Sequence, residues 1–177
     1  MARRLEDVME VGPALTLRYW ALFDSDALRP NKPSGQSMTL KAKCGSALMP
    51  HHQLCRRSIE SYIPLAVLQG WAYSGYNRSE RLRRSEIFQA FSRMSELQRH
   101  HYNLKSGFDG DARRQGPGAG DLYSTVSAVD KRALASGFGA SIAELFSTKG
   151  VTEEHLRHDG GWDELHPIFN YLVTLVR

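Results

Sequence analysis

The chain has 177 residues, of which 41% are hydrophobic and 24% are charged, so it is long enough for one domain with a hydrophobic core. This composition excludes a wholly disordered chain, and no apolar run approaches the roughly 20 residues that a membrane-spanning helix needs. The net charge of +4 favours an anionic partner such as a nucleic acid. Two cysteines are too few for a disulfide framework, so we expect an intracellular protein, nuclear or, in a bacterium, cytoplasmic.

The first half of the chain is predicted to be helical. Apolar spacing predicts helices over residues 5–23, interrupted at Gly12-Pro13, and a loop rich in proline, glycine and serine over residues 24–37. Residues 51–76 are apolar enough for a buried helix, which Pro64 must break or kink. A helix of about six turns follows at residues 79–104, with an apolar stripe that includes Ile87 and Phe91 and with its arginines mostly away from that stripe.

The second half begins with a basic loop over residues 105–121, which contains Arg113 and Arg114. A helix is predicted for residues 126–146, with weak points at Gly137 and Gly139, and a short helix for residues 152–158. After a Gly160-Gly161 break the last helix starts at Asp163. Its predicted buried residues are Leu165, Ile168, Phe169, Leu172, Val173 and Val176. The predicted class is mainly α, with one helical domain spanning residues 1–177.

The end of the chain carries an ungapped series of short motifs. In order they are Gly139-Ala140-x-x-Ala143-Glu144, Gly150-Val151, Gly160-Gly161-Trp162 and, nine residues after the tryptophan, Tyr171-Leu172. The series resembles the end of the tyrosine recombinase catalytic domain, especially that of Crypton-type recombinases and of the DNA-binding subunit of the budding-yeast centromere complex. This resemblance covers residues 131–177 and implies that the domain is part of such a catalytic domain and binds double-stranded DNA.

The resemblance also implies roles for individual residues. In the family a tyrosine attacks a DNA phosphate, a tryptophan hydrogen-bonds that phosphate, and arginines stabilise its charge. Tyr171 and Trp162 fall on the first two positions. A His-x-x-Arg motif of the family is missing here, because Ala133 and Ser136 stand at the aligned positions. Since phosphoryl transfer depends on charge stabilisation, we expect DNA binding rather than DNA cleavage.

Predicted contacts to DNA phosphates are Lys131, Arg132 and Arg157 together with Arg113 and Arg114 of the basic loop. We expect their contribution to weaken steeply as salt rises. Neither a cofactor nor a metal ion is predicted, and assembly into a homo-oligomer on DNA stays open.

The sequence is also compatible with other interpretations of its function. Residues 131–149 also fit a helix-turn-helix, in which a recognition helix enters the major groove. Arg93 and His100 match the loose signature of a family of helical ribonucleases, which would make the protein a ribonuclease or an RNA-binding module. A helical interaction domain without nucleic acid is the third candidate. Four residues of metal-ligating type, Cys44, His51, His52 and Cys55, fit no standard zinc spacing.

Overall fold

The computed structural model describes residues 20–112, 122–147 and 150–176. The elements in chain order are β1 (Ala21–Phe23), α1 (Gly35–Ser46), β2 (His51–Gln53), a 3₁₀ turn (Ile59–Tyr62), α2 (Leu65–Tyr73), α3 (Arg78–Ser92), α4 (Glu96–His101), α5 (Gly107–Ala112), α6 (Ala128–Ala133), a second 3₁₀ turn (Ala140–Ala143), α7 (Glu144–Ser147), α8 (Glu153–His158) and α9 (Trp162–Val176). The prediction of a mainly α protein is confirmed. Within these ranges no helix is both long and apolar enough to cross a membrane.

The two short strands form a parallel pair with helix α1 between them in the chain. Ala21 lies opposite His51 in the pairing register. Helix α1 begins at Gly35, where the Ser34 hydroxyl accepts a hydrogen bond from the backbone N–H of Ser37. Cys44 of α1 is fully buried beneath the strands, so this small α/β unit has a core of its own.

The main core lies between α2, α3 and the segments that follow them. Helix α3 buries Ile87, Ala90 and Phe91, which share one face because they are three and four residues apart. Six aromatic rings, named here the aromatic cluster, run through this core: Trp71, Phe91, Tyr102, Phe108, Tyr123 and Phe138. Their neighbouring ring centroids are 5.1 to 5.6 Å apart in tilted and edge-to-face arrangements, which are favourable for aromatic pairs.

Helix α9 is fixed to the rest of the fold by a partly buried carboxylate. Glu164 accepts hydrogen bonds from the Tyr62 hydroxyl and the backbone N–H of Cys55, and its Oε1 lies 2.8 Å from Nε2 of His52. Burial alone would raise the pKa of Glu164, but the hydrogen bonds from Tyr62, His52 and Cys55 outweigh burial and lower it. The first turn of α9 is therefore held against strand β2 as an anion.

A second buried ion pair connects distant parts of the chain. The Arg57 guanidinium donates two hydrogen bonds to Asp111, at 2.6 and 2.5 Å, and both side chains are 5% exposed. Asp111 belongs to α5, whereas Arg57 follows strand β2. The pair therefore fixes α5 against the segment that leads into the first 3₁₀ turn.

Several predicted elements of the first half are wrong in extent or type. Residues 21–23 and 51–53 are strands rather than helix, and residues 1–19 lie outside the described chain. The loop predicted for residues 24–37 ends at Ser34, because that residue caps α1. Pro64 breaks the predicted helix, which was one of the two predicted outcomes: it directly precedes α2, a position that suits its fixed φ and missing N–H.

The long helix predicted for residues 79–104 is two helices. Ser95 and Gln98 form a capping box that starts α4 after α3 has ended at Ser92. The predicted loop at residues 105–121 contains α5. The helix predicted for residues 126–146 is interrupted because Gly137 and Gly139 take positive φ angles of 66° and 95°.

The last helix starts at Trp162, one residue earlier than predicted. It buries Leu165 and Ile168, as predicted, but Phe169, Leu172 and Val173 are 41%, 40% and 52% exposed. The apolar face of α9 is therefore wider than the part of it that packs against the described core.

Candidate nucleic-acid interface

Of the predicted residues of the recombinase-like region, the structure brings Trp162 and Arg157 together. Trp162 begins α9, and the Arg157 guanidinium lies 4.6 Å from the centroid of its ring. Arg157 is also paired with Glu153 of the same helix, with Nη2 and Oε1 2.7 Å apart. The indole stacks on His166 and packs against a buried cluster that includes Leu156. These contacts connect α8 to α9 across the Gly160-Gly161 break.

Tyr171 occupies a different side of the same helix. Nine residues correspond to about 13.5 Å of helix and two and a half turns, so Trp162 and Tyr171 point in opposite directions. The Tyr171 ring is half-buried and lies 5.7 Å from the ring of Trp20. The structure therefore does not bring the two predicted catalytic side chains to one point.

The remaining predicted contacts lie elsewhere. Lys131 and Arg132 occupy the last turn of α6, Lys131 half-buried and Arg132 exposed. Arg113 and Arg114 lie outside the described residues. The described part of the window of residues 131–149, which ends at residue 147, holds the end of α6, a 3₁₀ turn and α7 (Glu144–Ser147), and these described elements are too short for the predicted helix-turn-helix.

The alternative ribonuclease residues do not converge. Arg93 binds Asp130 of α6, and the hydrogen bond from its guanidinium raises the pKa of Arg93. His100 faces a polar cavity of about 340 Å³ with Arg56, Arg99 and Asp159, and Arg93 is not among the residues lining that cavity. Burial, followed by the charge of Arg56, lowers the pKa of His100 to about 4, so His100 is neutral at pH 7.

The cysteine and histidine residues near strand β2 are also dispersed. Cys44 is buried, Cys55 is exposed, His51 lies 2.9 Å from the carbonyl oxygen of Met49, and His52 pairs with Glu164. Nowhere in the described ranges do three His, Cys, Asp or Glu side chains stand in positions that could hold a metal ion.

The most distinctive surface is formed by α2, the turn of residues 74–77 and α3, which we call the α2–α3 unit. A four-residue turn containing a glycine joins two helices that pack against each other, as in helix-turn-helix motifs. Asn77 caps α3 by accepting a hydrogen bond from the backbone N–H of Glu80, and Glu80 accepts one from the N–H of Tyr76.

Arg84 fastens the two helices of this unit together. Its guanidinium lies 4.6 Å from the centroid of the Trp71 ring, donates to the carbonyl oxygen of Trp71 and pairs with Glu80 at 2.5 Å. The backbone at Gly75 lies close to α3, because a Cβ at this position would be 2.8 Å from both N and Cγ of Arg81. The turn therefore accepts no side chain at residue 75 without movement of α3.

Three further arginines of α3 extend into solvent. Arg78, Arg81 and Arg83 are exposed, and their side chains have no hydrogen-bond or ion-pair partner among the residues that the structure describes. Arg78 and Arg81 share a face of the first turns, being three residues apart. Tyr73 and Tyr76, 62% and 94% exposed, stand at the adjoining turn. Cationic and aromatic groups thus surround the N-terminal end of one long helix.

The comparisons with known proteins give this chain no relative: no family model, no curated protein and no solved structure matches it. The recombinase resemblance therefore stays a prediction.

The sequence contained a usable signal for the α2–α3 unit. Asn77 and Glu80 have the spacing of an N-terminal capping pair, and Gly75 precedes them. Our predictions of one helix over residues 51–76 and of another from residue 79 placed a boundary here, but they did not identify the two helices as one unit. Arg81 and Arg83 were therefore treated only as an exposed basic face.

Proposed function

We propose that this protein binds double-stranded DNA through the α2–α3 unit and does not cleave it. The observation that carries the proposal is the set of three exposed arginines on the first turns of α3 that have no partner within residues 20–112, 122–147 and 150–176. Guanidinium groups that no described carboxylate pairs with can bind phosphates and the edges of guanine bases.

The shape of the unit supports a duplex as the partner. An α-helix fits the major groove of B-form DNA, and in helix-turn-helix proteins the N-terminal residues of the second helix contact the bases. Arg78 and Arg81 occupy those positions on α3. Arg83 is rotated by about 140° from Arg78 around the helix, so it is directed toward a phosphate strand rather than the groove floor. Lys131 and Arg132 are proposed as additional phosphate contacts, since α6 packs against α3.

The positions of the recombinase-type residues favour binding without chemistry. Trp162 and Tyr171 lie on opposite sides of α9, and Arg157 near Trp162 is already paired with Glu153. Transfer of a phosphoryl group needs several cations around one phosphate and a nucleophile in line with it. The described residues near Tyr171 offer an aromatic neighbour, Trp20, instead.

Titration of a labelled duplex by fluorescence anisotropy tests the proposal. We expect saturable binding whose affinity falls with salt, and weaker binding to a single strand of the same length. Failure of the duplex to bind at about 50 mM salt would refute the proposal.

A nicked duplex that traps covalent intermediates tests the second half of the proposal. We expect no covalent protein–DNA product on a denaturing gel. A product that disappears in Tyr171→Phe would establish recombinase chemistry instead.

A further inference from the structure

A cavity of about 420 Å³ lies on a part of the molecule remote in sequence from α3. Its walls are largely apolar and are contributed by strand β1, helix α1 and the first 3₁₀ turn. The apolar side chains are Leu22, Phe23, Leu40, Leu54 and Ile59. Pockets of this size and apolar character are typical of small-molecule sites.

One polar group of this cavity is buried and incompletely satisfied. The Glu60 side chain is 3% exposed, and its Oε1 pairs with the Lys105 ammonium at 2.7 Å. Its Oε2 has no hydrogen-bond partner among the described residues. A buried carboxylate oxygen without a donor costs free energy, so the fold retains here a group that an incoming donor would stabilise.

Two further carboxylates increase the negative charge of the cavity. Asp24 and Asp26 both line it, and Asp24 accepts a hydrogen bond from the backbone N–H of Ile59 at 3.0 Å. Burial raises the pKa of Asp24, and the charges of Glu60 and Asp26 raise it further. Three acidic side chains thus face one ammonium group, and that ammonium belongs to Lys105, which is 47% exposed at the edge.

We propose that this cavity binds a small organic amine, with the ligand's ammonium group donating to Glu60 and Asp24 and its apolar body in contact with Leu22, Phe23 and Leu40. The apolar walls favour an organic cation over an inorganic one. The proposal is independent of DNA binding, because none of its residues belongs to the α2–α3 unit.

Two ligands distinguish recognition of the ligand's charge from mere occupation of the apolar cavity. They are tryptamine and its neutral counterpart tryptophol, in which a hydroxyl replaces the amine. Each is titrated into the wild-type full-length protein, with backbone amide NMR shifts as the readout. We expect tryptamine to shift the amides around Leu22, Asp24 and Glu60 with a dissociation constant on the order of 1 mM or below. Tryptophol should bind about tenfold more weakly, since it lacks the charge-assisted hydrogen bond.

Variants assign the effect to the carboxylate. Glu60→Gln should weaken tryptamine binding about tenfold, whereas Lys105→Met should strengthen it, because the ligand's ammonium group is no longer repelled by the native ammonium. A merely structural Glu60–Lys105 pair would make both variants weaken binding. Glu154→Gln, an exposed site on α8, is the matched control and should leave the affinity unchanged.

Two results with the wild-type protein overturn the proposal without any variant. One is equal affinity for tryptamine and tryptophol, which would make the cavity an apolar depression without charge recognition. The other is the absence of shifts around the cavity at about 10 mM tryptamine, well above the expected dissociation constant.

Discussion

Replacing the three exposed arginines of α3 with glutamine should remove most of the salt dependence of DNA binding. Glutamine keeps the Cβ and Cγ atoms and the helix propensity, so the Arg81 stem still fills the space beside Gly75. The variant Arg78→Gln, Arg81→Gln, Arg83→Gln therefore changes charge at the surface while leaving the buried face of α3 intact.

The size of the effect follows from the number of phosphates involved. Each of the three guanidinium groups displaces about one counterion from the duplex, whether it lies in the groove or on a phosphate strand, so together they contribute about −2.7 to the slope of log affinity against log salt concentration. Raising salt from about 50 to about 200 mM should then weaken the wild-type protein about 40-fold more than the triple variant. The variant should also bind more weakly at low salt, because counterion release no longer favours the complex.

The matched control removes the same charge from another part of the fold. Arg29→Gln, Lys32→Gln, Lys41→Gln changes side chains on α1 and the loop before it, so both triple variants have the same net charge. Anisotropy titrations at four salt concentrations give the two slopes. Equal loss of slope in both triple variants would mean that net charge, and not the α2–α3 unit, determines binding, and our interface would be wrong.

Three further predictions concern stability. Gly75→Ala places a methyl group 2.8 Å from atoms of Arg81 and should lower the free energy of unfolding in urea by roughly 1–3 kcal/mol, whereas Gly70→Ala in α2, with nothing within 4 Å, should raise it slightly. Asp111→Asn leaves its buried arginine partner uncompensated and should cost about 3–5 kcal/mol; a loss below 1 kcal/mol would contradict this reasoning. His100 has a folded pKa of about 4, below its ordinary value of 6.5, so the unfolded chain binds the extra proton between these values. The contribution of neutral His100 to the free energy of unfolding should be complete above pH 6.5 and be lost as the pH falls toward 4. An equal loss of stability over this range in wild type and in His100→Gln would contradict this reasoning.

The mainly helical class and the boundaries of helices α8 and α9 could be predicted because the sequence signals for them are local. Thr152 caps α8, the glycines at 160 and 161 end it, and α9 starts within one residue of the prediction. Apolar periodicity also identified Ile87 and Phe91 as core positions. Each of these features depends on residues within one or two turns of each other.

The strands and the buried ion pair could not be predicted in the same way. Three-residue strands are too short to display alternation, and β1 pairs with β2 only after α1 has crossed between them. Arg57 and Asp111 are 54 positions apart, and no local sequence pattern around either residue predicts that they pair. The candidate interface depends on which arginines lack partners, and that is a property of the folded surface.

The aromatic cluster determines how small a DNA-binding fragment of this protein can be. Trp71 and Phe91, from the two helices of the α2–α3 unit, both contact Phe138, whose ring lies 5.1 and 5.2 Å from theirs. A peptide of residues 65–92 alone would expose these rings to water and lose the surface that orients its helices. Dissection of this protein into a minimal binding module should therefore fail unless the fragment extends beyond Phe138, and limited proteolysis should release no stable piece that contains α3 without it.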